Sequence, residues 1–411
     1  MTKEKVLIIC SNFWPEPTGI SVYSTDLATF LKQRGFEVSV LTGLPHYPWW
    51  KIPNEYINIA DGESQHEIVR VIRVKHFIPP KINVLLRAQY EFSLWWNLRR
   101  VSNRLVTKEY DVVISFIPTV AAGLIGERIA KKLGVPFGLI VQDLSGAGAK
   151  QSGVRGGALI SLFANKIETS VIKAADSTVV VSAAMREALL KLKLPSSKVL
   201  QIPNYSAKRI RGIDHELARK RFGWSRDEFS VVHAGNMGAK QDLENVIEAS
   251  KTLIGNSKIR IYLVGHGNQE ARLKKMCEGL RNIALMPAVP DNLFSTLLSA
   301  ADLLLVNERS SQIEMSLPSK LTSYLFSGRP VLAAVPRRGA TWKFLDGIAE
   351  LVDAGNPSLL ANAIKGLSQD TDKRNVLASK GLEFARNNLG AENGRRKYLD
   401  WVNSLVQSKR G

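Results

Sequence analysis

The sequence predicts an α/β fold built from two successive doubly wound domains, each on a parallel sheet. Short apolar runs alternate with helix-length segments, and the alternation lapses once, in a polar, basic stretch after residue 205, before starting again. A length of 411 residues also exceeds what one ordinary core holds.

The elements follow in order. VLIIC (6–10) reads as a buried strand, 21–34 as a helix and VSVLTG (38–43) as a second strand, which makes a βαβ unit. DVVISF (111–116), a helix over 120–133, PFGLIVQD (136–143), a helical stretch around 158–174 and STVVVS (177–182) continue the pattern. FSVVHAG (229–235) restarts it, with a helix from about 242, then KIRIYLVG (258–265), NIALMP (282–287), DLLLVN (302–307) and PVLAAV (330–335), with helices between them. Near-continuous apolar strands of this kind are covered by helices on both faces. The expected domains are therefore 1–205 and 206–390, and the helical terminal segment 391–411 is expected to cross back onto the first domain. Ligands bind such sheets outside the carboxyl ends of the strands, so a cleft between two such domains is the default site.

Hydrophobic residues make up 45% and charged residues 23%, a globular composition that excludes disordered and fibrous classes. The formal charge of +19 calls for an anionic partner: nucleic acid, a phosphorylated metabolite or an acidic membrane. Cys10 and Cys277 imply no disulfide framework, so a reducing compartment is expected. The N-terminus has too short an apolar run for a signal peptide, and no run is long enough to span a membrane.

The charge is concentrated. Residues 70–132 hold 12 basic and 4 acidic side chains. Within them, LLRAQYEFSLWWNLRRVSNRL reads as a helix whose stripe Tyr90, Leu94, Leu98, Val101 and Leu105 suits packing on a sheet. Leu85, Phe92 and Trp96 fall on the opposite side, flanked by Arg99 and Arg100. A second aromatic stripe bordered by arginines points to an anionic membrane surface; the alternative is a helix buried on both faces.

Several strand ends carry candidate chemistry. Gly19 precedes the first helix, whose free amides suit an anion, although a turn glycine is an equal reading. In HAGNMGAKQDLENV, Gly235 and Gly238 permit a tight turn and Lys240 stands near a helix start; LVGHGNQE repeats the device at Gly265 and Gly267. No dinucleotide fingerprint is present. ERSSQIEMSLPSKLTSYLFSG places Glu308 and Glu314 in a loop, then Ser319 as a cap and Lys320 at a helix start, where an anion would offset the unfavourable dipole. Asp143 closes an apolar strand, where a carboxylate can orient or deprotonate a hydroxyl or can cap the next segment. His46 follows another strand end, as an acceptor contact or as a histidine packed by Tyr47, Trp49 and Trp50. The Asp370-x-Asp372 pair falls in a polar turn and reads as solvated, so no metal site is expected.

Taken together, FWPEPTGISVYSTDLATFLKQRGFEVSVLTGLPHYPWW, IVQDL, SAAMREALLKLKLPSSKVLQIPNY, GNMGAKQDLENVIEA, LVGHGNQEARLKKM and LPSKLTSYLFSGRPVLA resemble a GT-B glycosyltransferase of the retaining family 4, in its bacterial exopolysaccharide and O-antigen branch. The resemblance implies a nucleotide-diphospho-sugar as co-substrate, bound mainly by the second domain, with no metal or other cofactor. It implies a lipid-linked glycan acceptor at the inner membrane face, bound by the first domain. It puts Gly19 near the donor phosphates, Lys240 and Lys320 as the basic pair on the diphosphate, and Glu314 at the donor sugar. The family's Glu-x7-Glu is missing, its second position falling at Ser323 and its first at Met315. The usual Arg after the first glycine of the second domain is Asn236, and the family Lys falls at Gln241, one place beyond Lys240. Alternatives are a GT-B sugar-nucleotide epimerase and a basic nucleic-acid-binding protein. For the latter no recognition motif is present, so nucleic acid is not an expected partner.

Overall fold

The computed structural model describes all residues except 1–2, 18, 58–61, 81–82, 106–108, 145–156, 206–211, 312–316, 319 and 410–411. The chain divides into two compact units, Met1–Pro203 with Glu392–Gly411, and Asn204–Ala391.

The first unit is built on an eight-stranded sheet. Its strands are β1 (Lys5–Cys10), β2 (Glu37–Gly43), β3 (Gly62–His66), β4 (Val69–Val74), β5 (Val112–Ile117), β6 (Phe137–Val141), β7 (Ser177–Val180) and β8 (Val199–Gln201), in the order β3-β4-β2-β1-β5-β6-β7-β8. All neighbours pair in parallel except β3 and β4, which form an antiparallel hairpin at the edge. The apolar side chains of β1 from Val6 to Cys10 are fully buried, which places β1 at the core and makes its junction with β5 the point where strand order reverses. There the hydroxyl of Thr119 donates to Ser11 Oγ at 2.8 Å.

The helix Ala391–Ser408 packs on this sheet. Trp401 is buried, its Nε1 donates to Ser177 Oγ at 2.9 Å, and Arg395 pairs with Asp26 on the helix Ile20–Gln33. A β-carbon on Gly138 of β6 would come within 2.9 Å of the Trp401 ring, so the bare strand there is what admits the indole.

The second unit carries six parallel strands: β9 (Phe229–Ala234), β10 (Ile259–Val264), β11 (Ile283–Met286), β12 (Leu303–Asn307), β13 (Val331–Val335) and β14 (Glu350–Asp353). Their order β11-β10-β9-β12-β13-β14 reverses at β9 and β12. Apolar clusters lie on both faces, one around Val232, Leu304 and Tyr324, the other around Val231, Ile261 and Leu332.

Some elements escaped the sequence reading, each for a physical reason. β3 is GESQH, polar because it is an edge hairpin strand, and β8 is three residues long. The polar, basic stretch after residue 205 contains the helix His215–Phe222, which buries only Ala218 and Arg219 and so shows little apolar periodicity. Its boundaries are set by Asp214, whose carboxylate accepts from Leu217 N, and by Gly223 in the left-handed region. Arg219 then fastens the helix, donating to Asp302 Oδ2 at 2.7 Å and to Ser230 Oγ at 3.1 Å. Asp370 caps the helix Thr371–Asn388 by accepting from Lys373 N, which gives it a structural role.

Candidate active site

The strand reversal of the second unit brings together the loops after β9, β10 and β12. Met237 N donates to His266 O and Gln269 N donates to Met237 O, so the first two loops are joined backbone to backbone. The approach is close enough that any side chain on Gly265 or Gly267 would strike the carbonyl of Gly235 or Met237.

The third loop locks on through Asn307, buried at the end of β12. Its Nδ2 donates to the carbonyls of Gln241 and Asp242, both at 2.9 Å, and its Oδ1 accepts from Asn245 at 2.8 Å. Arg309 adds two bonds, N to Lys240 O at 2.9 Å and Nε to Ala239 O at 2.8 Å. These fix the 3₁₀ turn Ala239–Gln241, which Gln241 closes by accepting from Gly238 N.

The result is a cavity of ≈ 80 Å³ lined by Lys240, Gln241, Val306, Asn307, Glu308, Pro318 and Lys320. Lys320 opens the helix Lys320–Phe326, which Tyr324 anchors by hydrogen-bonding the backbone of Ala234. The Lys320 amine reaches over Gly235 and lies 3.2 Å from His233 Nε2. Burial pushes the Lys320 ammonium down to about 7, with the nearby Glu308 carboxylate opposing that shift. Burial, and then the charge of Lys320, holds the His233 imidazole well below its ordinary value. Glu308 is itself tied, accepting from Thr341 Oγ1 at 2.6 Å. Lys240 and Lys320 thus line one cavity at the carboxyl ends of parallel strands, where positive charge suits an anion.

Of the residues singled out from sequence, Lys240 and Lys320 line this cavity, and Gly235, Asn236, Gly238 and Gly265 build the loops beside it. Ser323 sits half-buried on the Lys320 helix; Glu314 and Ser319 lie outside the described residues. Sequence reasoning missed His233, Gln241 and Asn307 as parts of the site. A polar residue inside or closing an apolar strand, as in FSVVHA and LLLVN, is the signal that marks the first and last.

In the first unit Gly19 is exposed ahead of the helix Ile20–Gln33, and Asp143 is exposed after β6 with Oδ1 accepting from Leu144 N at 2.9 Å. His46 is a packed loop histidine: 2% exposed, its Nδ1 3.0 Å from Leu44 O, its ring against His76, Tyr90 and Trp50. That burial replaces the acceptor contact expected for it. The reason is Glu16, whose buried Oε1 accepts from the backbone N–H groups of His46 and Tyr47 at 2.7 and 2.8 Å and pulls the loop inward.

The helix Val84–Leu105 buries Tyr90, Leu94, Leu98 and Val101, while Phe92 and Trp96 stand 63% and 57% exposed beside exposed Arg99 and Arg100.

Two doubly wound units, each on a mainly parallel sheet, are the architecture of the GT-B class. The family model "Glycosyl transferase 4-like domain" matches residues 18–205 and "Glycosyl transferases group 1" matches 214–384. The chain belongs to the family 4 glycosyltransferases of GT-B type. It is 27% identical to the putative colanic acid biosynthesis glycosyl transferase WcaI of Escherichia coli (strain K12), over 96% of this chain and 99% of the relative. Among solved structures, sucrose-phosphate synthase from Thermosynechococcus elongatus superposes with a TM-score of 0.72 at 17% identity, covering 99% of this chain and 100% of that one. Anabaena HepE in complex with UDP gives 0.69 at 16%, covering 97% and 100%. At these identities the structural likeness speaks for the fold alone.

Proposed function

We propose that this enzyme transfers a sugar, with retention of configuration, from a nucleoside-diphosphate sugar to a lipid-linked glycan acceptor during assembly of a bacterial surface polysaccharide. The observation that carries the reading is the pair Lys240 and Lys320 on one small cavity at the strand reversal. As the bond between the anomeric carbon and the diphosphate oxygen breaks, negative charge grows on the leaving group. The two lysines, in their charged form, stabilise that charge without a metal or other cofactor. Asp143, at a strand end of the first unit, is the group assigned to the acceptor hydroxyl. The UDP bound by HepE and the colanic acid role in the WcaI description support the donor class and the pathway class.

The acceptor's lipid and the exposed aromatic helix support one place of work, the inner face of the cytoplasmic membrane, reached from the cytoplasm by peripheral contact. Among the described residues no helix is long and apolar enough to cross a membrane. The helix Gly157–Ala174, which touches Val84–Leu105, also exposes Leu162 and Phe163. Contact of this kind combines shallow apolar insertion with attraction of arginines to anionic lipid.

The test is release of nucleoside diphosphate from UDP-, GDP- and ADP-sugars, with and without bacterial membrane lipid extract. Release that depends on the lipid, and falls on the order of 100-fold in Lys320→Ala with an intact fold, is expected. Interconversion or hydrolysis of donors without any acceptor would replace this reading with an epimerase.

A further inference from the structure

Glu308 directly follows β12 and is 8% exposed, and it lines the same cavity as Lys240 and Lys320. A carboxylate is out of place on a site that attracts an anion, because it repels the phosphate oxygens that the lysines attract. Its burial also costs desolvation, so its presence there calls for a partner that donates a hydrogen bond.

The position of Glu308 is fixed from both sides along the chain. Asn307 just before it donates to the carbonyls of Gln241 and Asp242, and Arg309 just after it donates to the carbonyls of Lys240 and Ala239. Glu308 N donates to Ala334 O at 2.9 Å, which carries the ladder on to β13. The backbone that bears the carboxylate and the turn that bears Lys240 are thus parts of one hydrogen-bonded frame. Thr341, buried in the first turn of the helix Ala340–Leu345, sets the direction of the carboxylate by donating to Oε1 at 2.6 Å. A carboxylate offers about four acceptor positions, and this bond uses one.

The cavity wall therefore presents two kinds of group at fixed spacing. The lysines suit oxyanions, whereas the carboxylate suits a hydroxyl and opposes an oxyanion. A nucleoside-diphosphate sugar carries both partners, its sugar hydroxyls lying next to the diphosphate. Once the bond from the anomeric carbon to the phosphate oxygen breaks, its electron pair stays on that oxygen. The remaining diphosphate has gained charge and lost its hydroxyls at that end.

We propose that Glu308 is a specificity-determining residue that separates donor from product: its carboxylate accepts from a hydroxyl of the transferred sugar and repels the bare diphosphate left after transfer. Thr341 is the positioning residue behind it. The inference rests on reading this cavity as the donor site.

The experiment is isothermal titration calorimetry of the full chain with UDP, GDP and ADP, and with UDP-glucose, UDP-galactose, GDP-mannose and ADP-glucose. The pair to follow is the nucleotide sugar that binds most tightly and its own nucleoside diphosphate. Glu308→Gln keeps the size and an oxygen for Thr341, but it removes the charge and replaces the second oxygen with an amide. It should weaken the nucleotide sugar by about tenfold or more and leave the nucleoside diphosphate equal or tighter. Thr341→Val changes no residue that lines the cavity and should shift the ratio of the two affinities in the same direction by about threefold. Replacing the sugar hydroxyls by hydrogen one at a time should find one whose loss costs the wild-type chain about tenfold and costs Glu308→Gln nothing further.

An equal gain for both ligands in Glu308→Gln would mean that Glu308 only balances the lysines, and an equal loss that it holds the nucleoside. Either result, or a ratio unchanged in both variants, overturns the inference and leaves the donor site standing. Failure of every nucleotide and nucleotide sugar to bind the wild-type chain removes the donor-site reading and this inference together.

Discussion

A β-carbon on Gly265 would lie 1.8 Å from the carbonyl oxygen of Gly235, so the loops after β10 and β9 touch backbone to backbone. Gly265 also has φ +150, a conformation that side chains rarely adopt. Gly265→Ala should cost about 2–4 kcal/mol in urea unfolding and weaken nucleotide binding, because the obstructing atom is main chain and cannot turn aside. Gly366→Ala is the control: it sits in the helix Pro357–Gln369 with open space around it and should gain up to about 1 kcal/mol.

Asn307 acts on the same loops through side-chain bonds. Asn307→Ala removes the donor to the carbonyls of Gln241 and Asp242 and the acceptor for Asn245, leaving buried groups unpaired at about 1–3 kcal/mol each. The turn carrying Lys240 is then less fixed. Steady-state kinetics should show KM for the donor rising roughly tenfold, with kcat less affected.

The buried histidines of the first unit set an acid limit on stability. Burial pushes His46 down to about 4 and His76 to about 3, the charge of His46 adding to the shift of His76. An unfolded chain protonates both near their ordinary value of 6.5, whereas the folded chain does not. Their stability is complete above pH 6.5 and is lost as pH falls toward 4, at about 1.4 kcal/mol per pH unit for each histidine. His76→Phe should therefore lose less stability than the wild type between pH 7.5 and pH 5. Equal losses in urea titrations at the two pH values would contradict the neutral, buried assignment.

Phe92 and Trp96 stack with ring centroids 6.4 Å apart on the solvent side of their helix, and Arg99 lies over Trp95. Changing Phe92 and Trp96 together to Ser should leave the fold unchanged, since neither side chain is in the core, and should reduce sedimentation with anionic liposomes by about tenfold. Undiminished binding would direct attention away from this face.

The class of fold, the alternation that restarts at Phe229 and the basic residues at strand ends are legible along the chain. Each is a local signal: period, turn glycine or charge within a few residues of a strand. The sequence also separates the buried stripe Tyr90–Leu94–Leu98 from the aromatic stripe opposite, because helical spacing alone places them. Folding is what puts Lys240 and Lys320 on one cavity, His233 beside Lys320, and the His46 backbone on the Glu16 carboxylate. Those relationships run between strands ordered in space as β10-β9-β12 and between loops joined by buried hydrogen bonds, and no spacing within a single segment encodes which of them meet.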